Sequence, residues 1–483
     1  MAPETAILVG IFAPLAVAAL IPFLSFQANL RDAAGPVGAL FSFVAALIVA
    51  KAVMTGASPS VTLVTISEGL DLTFRVTPAG AIFGCVASGL WILASLYSTG
   101  YMRGNKEKNQ TRFAVCYAVA VHAAMAIAWS GNLMVLFIFY EVLTFSTYPL
   151  VTHKESREAI NAGRLYMGIL VGTSVVLLLP GIIWVWLVAG TLDFTNGGIL
   201  ANRLDPAHAP WLVALFAFGI GKVALMPIHR WLPAAMVAPT PVSALLHAVA
   251  VVKAGAFTML MVMVYIFGID FLADTGASEW LAWLAAFTIL ASSVVAISKD
   301  DIKARLAYST ISQLSYIVLA AALASSIAAE GGLVHIVMHA SAKITLFFCA
   351  GAIYVGAHLN KVSQLDGLGP RMPLVFIAFF LGALSIIGVP PLGGSWSKLM
   401  IMTGSIDAGL PLMVAVLAVS SLLNVYYLLE PVFRAFFRPV NTDVKVDTPL
   451  LTVLPPVITA LISVVLFFAI NILTSFSQLM VMP

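Results

Sequence analysis

Charge is what this sequence has least of. Only 9% of its 483 residues are Asp, Glu, Lys or Arg, while 61% are hydrophobic and the mean hydropathy is +1.03. A soluble domain of this length needs a charged surface, so the composition excludes one and defines a polytopic membrane protein. Cysteine is nearly as scarce. Cys85, Cys116 and Cys349 fall in three separate apolar segments, a spacing that fits neither a disulfide framework nor a metal site, and they read as small packing residues. Long polar connections are missing too. Without them the chain has no room for a nucleotide site, an iron–sulfur domain or a nucleic-acid partner, and no catalytic, cofactor or metal centre is expected in it. No basic flank precedes the first apolar segment, whose first charge is Glu4, so that segment is expected to be a retained helix rather than a cleaved signal.

A membrane-crossing helix takes roughly 20 apolar residues. Fourteen segments qualify, near 5–25, 34–53, 79–98, 112–129, 131–151, 164–190, 209–226, 241–267, 279–298, 302–325, 331–356, 373–389, 410–433 and 448–475. The expected fold is therefore all-α, with about fourteen spans. Residues 60–76 alternate and are rich in Val and Thr, which predicts a short external hairpin. Basic residues fix an orientation, because cytoplasmic loops carry excess Lys and Arg. Most of the 24 lie in the connections after odd-numbered spans, as do Arg103, Lys106, Lys154, Lys303, Arg434 and Lys445, whereas the connections after even-numbered spans hold only Arg75 and Arg203. Lys51 sits at the outer end of span 2. Both termini are then expected on the external side.

Two spans are interrupted by proline in similar settings. Lys222 precedes Pro227 in span 7, and Pro390 and Pro391 precede Lys398 at the end of span 12. Proline breaks a helix, and lipid does not satisfy the backbone groups it frees, so such breaks belong where protein or water does. Paired broken helices in two halves of a chain point to a transport site. The breaks lie five spans apart, an odd number, so spans 4–8 and 9–13 read as inverted repeats. The expected organisation is 1–111 for spans 1–3 with the hairpin, 112–267 and 279–437 for the repeats, and 448–483 for span 14.

The few charges left inside the apolar segments are costly to keep there and mark candidate proton or cation stations. Glu141 lies mid-span in Phe139-Tyr140-Glu141, and Lys222 from the broken helix is its natural partner, as a switchable element or as a static ion pair. Lys253 reads as the next station. His247, six residues earlier and about 9 Å away along a helix, is a second relay group or a hydrogen-bonded packing residue. His335, His339 and Lys343 share one helix face at i, i+4 and i+8, as a proton relay or a polar stripe. Lys398 is the terminal station toward the exterior. Glu430 is expected to pair with Arg434 one turn on, and His122 to pack. The stretch Ser309-Thr-Ile-Ser-Gln-Leu-Ser-Tyr316 either hydrates a half-channel or joins helices by hydrogen bonds.

Four stretches carry a family resemblance. They are His229-Arg-Trp-Leu-Pro-Ala-Ala-Met-Val-Ala-Pro-Thr-Pro-Val-Ser-Ala-Leu-Leu-His247 continuing to Lys253-Ala-Gly, Phe139-Tyr-Glu141, Lys303-Ala-Arg-Leu-Ala-Tyr-Ser-Thr-Ile-Ser-Gln313, and His339-Ala-Ser-Ala-Lys-Ile-Thr-Leu-Phe. The sequence resembles the antiporter-like subunits of complex I and of Mrp-type multisubunit cation/proton antiporters. The overall pattern is most similar to the D-type subunit of the latter, while the run from Ala238 to His247 is closer to the large-subunit style. The resemblance implies fourteen helices, inverted repeats, and proton stations at Glu141, Lys222, Lys253 and Lys398. It further implies a hetero-oligomer with small membrane subunits in a bacterial inner membrane, exchanging protons against a monovalent cation such as sodium. Two alternatives carry different partners: a proton-pumping arm of a quinone-reducing or hydrogen-evolving complex, and a component of a proton-driven inorganic-carbon uptake complex.

Overall fold

The structure is a computed structural model that describes residues 1–67, 70–439 and 446–481. Lys445 and the residues 68–69 at the tip of the expected hairpin lie outside the described residues. Sixteen longer helices organise the described residues. The first six are α1 (Pro3–Leu20), α2 (Ala28–Met54), α3 (Pro78–Gly104), α4 (Gln110–Ala128), α5 (Leu133–Val151) and α6 (Arg157–Ala189). The first break separates α7 (Ala209–Gly219) from α8 (Thr240–Phe267), with short turns between them. There follow α9 (Glu279–Ile297), α10 (Ile302–Ala322) and α11 (Ser326–Ala357). The second break divides α12 (Pro373–Ile387) from α13 (Gly394–Asp407), and α14 (Leu412–Phe437), α15 (Leu450–Phe468) and α16 (Ile470–Val481) close the chain.

Among the described residues, 11 helices are long and apolar enough to cross a membrane. The segment expected at 448–475 is divided between α15 and α16. The hairpin is present, with β1 (Ser60–Ser67) antiparallel to β2 (Leu70–Arg75) and Thr62 opposite Thr73. It is seated on the α4–α5 turn, where the Gly131 N–H donates to the Thr73 carbonyl at 2.9 Å and the Asn132 side chain to the Asp71 carbonyl at 2.7 Å. Asn132 also caps α5, accepting from the Val135 N–H.

Two helices form the axis of the bundle. α8 and α11 are buried throughout their apolar stretches, whereas α1, α2, α6, α14 and α15 keep exposed apolar faces suited to lipid or to other chains. A helix that is apolar all round is a buried one, and these two also carry His247, Lys253, His335, His339 and Lys343. The polar groups that lipid would reject are thus enclosed by protein. α8 is not a regular helix. Two π-helical segments, Leu245–Val249 and Val262–Phe267, interrupt it, and His247 lies in the first. Such bulges re-aim the side chains that follow them and recur at functional sites.

Candidate functional site

The first break corrects the sequence reading of span 7. α7 does not run to residue 226; it stops at Gly219, and Lys222 lies in the irregular turn Gly221–Val223, with Ala224 at φ +56°. Gly255 of α8 meets the turn so closely that a Cβ there would lie 2.7 Å from the Lys222 carbonyl carbon, so the turn sits against α8 only because residue 255 has no side chain. The Trp231 indole N–H then donates to the freed Gly221 carbonyl at 3.0 Å. Pro227 follows the turn, after a cis peptide bond.

Lys222 is fully buried. Its ammonium donates to the Tyr140 carbonyl at 2.8 Å and to Thr144 Oγ1 at 2.6 Å, and stands 3.1 Å from the centre of the Tyr140 ring. The expected contact with Glu141 is not made. No ion pair within 4.0 Å joins them, and both carboxylate oxygens are shielded from solvent without a hydrogen-bond partner among the described residues. Helix geometry separates Glu141 from Lys222: Tyr140 and Thr144, one turn apart, meet the ammonium, and Glu141 is about 100° round the helix from Tyr140.

The second break is built differently. α12 ends at Ile387, Gly388 takes φ +92°, and Pro390 and Pro391 carry the chain to α13. Lys398 stands on α13 itself and reaches back, donating to the Ile387 carbonyl at 3.0 Å and to Ser421 Oγ at 2.8 Å. It supplies a donor and a positive charge to a helix C-terminus, where carbonyls lack partners and the helix dipole favours cations. The Tyr316 ring lies 5.1 Å away.

Between the breaks, α8 and α11 bring their polar groups together. Lys253 Nζ contacts His339 Nδ1 directly. The His339 and His335 rings stack at 5.8 Å, and His335 stacks on Tyr316 at 5.5 Å, the same tyrosine that faces Lys398. His335 Nδ1 is 2.9 Å from Ser397 Oγ, on the residue before Lys398. Lys253 and His339, and His335 and Ser397, are thus in polar contact; ring stacking alone joins the two histidines, and both of their Nε2 atoms lack a hydrogen-bond partner among the described residues. Lys343 stands apart, donating to Ser309 Oγ at 2.7 Å; the Tyr427 hydroxyl donates to the same Ser309 at 3.1 Å. Beyond Tyr427 lies an ion-pair cluster. Arg305 bonds the Tyr427 carbonyl at 3.1 Å and Glu430 at 2.7 Å, and Arg434 pairs with Glu430 at 3.0 Å and with Asp366 at 3.1 Å. The sequence predicts the Glu430–Arg434 pair; it does not predict Arg305 or Asp366.

His247 is fully buried beside the Phe347 ring at 4.8 Å, with neither nitrogen hydrogen-bonded. It touches neither Lys253 nor the other histidines. His122 packs as expected, its Nδ1 2.7 Å from the Ile11 carbonyl. The hydroxyl-rich stretch of α10 joins helices by hydrogen bonds: Ser309 holds Lys343, and Ser312, Ser293 and Ser420 join three helices. The residues that sequence reasoning missed are the partners of the lysines, namely Tyr140, Thr144, Ser397 and Ser421. The one signal for them is the density of hydroxyl groups in apolar helices.

A buried row of lysines and histidines that ends at one broken helix, with a further buried lysine at a second break, is the pattern of an ion-translocating membrane protein. The family model described as NADH:quinone oxidoreductase/Mrp antiporter, transmembrane, matches residues 130–424, and the chain belongs to that family. It is 31% identical over 375 residues to the N subunit of the NADH-quinone oxidoreductase of Desulforudis audaxviator, covering 77% of this chain and 73% of the relative. It is 30% identical over 442 residues to the A subunit of the Na(+)/H(+) antiporter of Alkalihalophilus pseudofirmus, covering 84% of this chain but 54% of the relative. The chain thus spans about half the length of this second relative. In fold it is similar to a chain of the Mrp complex from Dietzia sp. (TM-score 0.87, 21% identity, 99% of this chain and 97% of that one). It is similar also to a chain of the archaeal membrane-bound sulfane sulfur reductase (TM-score 0.88, 22% identity, 99% and 98%).

Proposed function

We propose that this chain is the proton-conducting component of a multisubunit monovalent cation/proton antiporter. The observation that carries the reading is the contact row from Lys253 through His339 and His335 to Lys398. Neutral imidazole accepts at one nitrogen and donates at the other, so the two histidines pass a proton between the ammonium groups once water joins their Nε2 atoms, which have no hydrogen-bond partner among the described residues. Lys222 and Glu141 form the first station. Lys222 loses its proton more readily when the Glu141 charge is withdrawn or neutralised, because opposite charge favours the ammonium. A branch from Lys343 through Ser309 to the Tyr427 hydroxyl points toward the basic, cytoplasmic end of the bundle, where water would have to carry it on to Glu430. His247 serves as a relay only with water between it and Lys253 or Lys343.

The same reading takes the chain as fourteen spans, with 112–267 and 279–437 as inverted repeats and both termini external. It places the chain with small membrane partners in a bacterial inner membrane and leaves sodium exchange to the assembled complex. The likeness to the D-type subunit belongs to this proposal; the two relatives named above are of the N and A types.

The test is cation-dependent proton movement in inverted vesicles from cells expressing the whole gene cluster, followed with a pH-sensitive dye. Recovery of the dye on adding sodium or potassium, lost in Glu141→Ala, supports the reading. No response in wild type, with the complex assembled, overturns it in favour of a redox-driven arm. That second reading is favoured by the quinone oxidoreductase relative, of which the chain covers more than two thirds.

A further inference from the structure

One large cavity takes no part in the polar row. It is an apolar crevice of about 490 Å³ between α2 and α3 on one side and α11, α15 and α16 on the other. Phe43, Ile82, Val86, Leu466 and Phe476 are typical of its walls, and Ser341 and Cys85 are the only lining side chains with a polar atom. Leu47 and Ile472, 49% and 60% exposed, flank it, so it opens sideways toward the membrane. Water does not fill such a space, because an apolar cavity offers it no hydrogen-bond partners. Left empty, the walls lose their dispersion contacts.

We propose that the crevice holds one acyl chain of a membrane phospholipid whose phosphate is bound by Lys51. The lining fits. The crevice is bounded by five helices and is walled almost wholly by apolar side chains, which suits a hydrocarbon tail. The charge fits as well. Phe43, Leu47 and Lys51 follow one another at four-residue spacing on one face of α2, so the lysine stands about one turn beyond the crevice wall, near the helix end. Lys51 is exposed, and among the described residues its ammonium makes no ion pair or hydrogen bond. A long cationic side chain at a helix end extends to the membrane interface, where lipid phosphates lie. With both termini external, this is the outer leaflet.

The position gives the lipid something to act on. Val337 and Ser341 of α11 line the crevice, and they alternate along that helix with His335, His339 and Lys343 of the row. A tail in the crevice packs against the back of the helix that carries the relay.

The test uses the intact complex purified from its membrane, with a phospholipid bearing a diazirine in its tail as the photoreactive probe. Adducts on the α2, α3 and α16 peptides around Phe43, Cys85 and Phe476, lost in Val86→Trp, are the expected result. Native mass spectrometry of the same preparations should show one retained phospholipid fewer per complex in Val86→Trp, and weaker retention in Lys51→Gln. Leu187→Trp, on the exposed face of α6, is the control that leaves both readouts unchanged. Adducts confined to exposed faces such as Leu187 and Leu422 overturn the proposal, as does equal retention in wild type and an assembled Val86→Trp complex. A cross-link from Lys51 to another subunit would mean that protein, not lipid, covers the crevice, and overturns it too.

Discussion

The two breaks hold a buried ammonium in different ways. At the first, Lys222 sits in the gap itself and is coordinated from the side by α5, through the Tyr140 carbonyl and ring and the Thr144 hydroxyl, with Glu141 close but not touching. At the second, Lys398 sits on the helix after the gap and caps the helix before it. A helix end is itself a partial negative charge, so the second site has less need of a carboxylate, and its α10 tyrosine stands farther off, 5.1 Å against 3.1 Å. The comparison teaches that a charge in a dry bundle is stabilised either by a nearby ionised group or by a terminus, and that only the first kind can be switched by moving or protonating one side chain.

The largest expected effect tests whether both breaks are needed at all. In the intact complex, Lys222→Ala and Lys398→Ala should each reduce cation-driven proton exchange by about a hundredfold or more without loss of assembly, the scale of removing a charge-assisted interaction on a required path. Unimpaired exchange in either variant breaks the comparison. Next comes the carboxylate. Glu141→Gln should slow exchange about tenfold, while Gln313→Leu on the matching helix of the second half, α10, should change it about twofold at most; equal losses would mean that the halves use side-chain polarity alike. The rings follow. Tyr140→Leu should cost about five- to tenfold and Tyr316→Leu less, since a cation over a ring is worth about 0.5–2 kcal/mol and falls with distance. The smallest pair concerns stability. Gly388→Ala should destabilise the assembled protein by about 1–2 kcal/mol, because its backbone is left-handed. Gly255→Ala should cost about 1–3 kcal/mol by crowding the Lys222 turn. Thermal melts of both variants in detergent check this.

How much of this is legible in the sequence depends on the range of the cause. Lys222, Lys253, Lys343 and Lys398 stand out because a charge in an apolar run needs no neighbour to be noticed. The breaks are visible because proline and glycine act on their own backbone. Where α7 actually ends is not, since the helix stops at Gly219, well before Pro227, and the turn that follows packs against Gly255, far along the chain. The Glu141–Lys222 pairing fails for a similar reason: adjacency in a scheme of spans says nothing about which way residue 141 turns relative to residue 140. The hydroxyl partners are the least legible. Most buried Ser and Thr here bond their own helix at i−3 or i−4, as Ser174 and Thr310 do, and nothing local marks Thr144, Ser309 or Ser421 as the ones that reach a lysine.

The direct contact between Lys253 and His339 has a consequence for counting. Two nitrogens that close can share one proton between them, but they cannot each present one to the other. On the path proposed above, the midpoint is then a turnstile with room for a single occupant, through which the two halves would exchange protons one at a time.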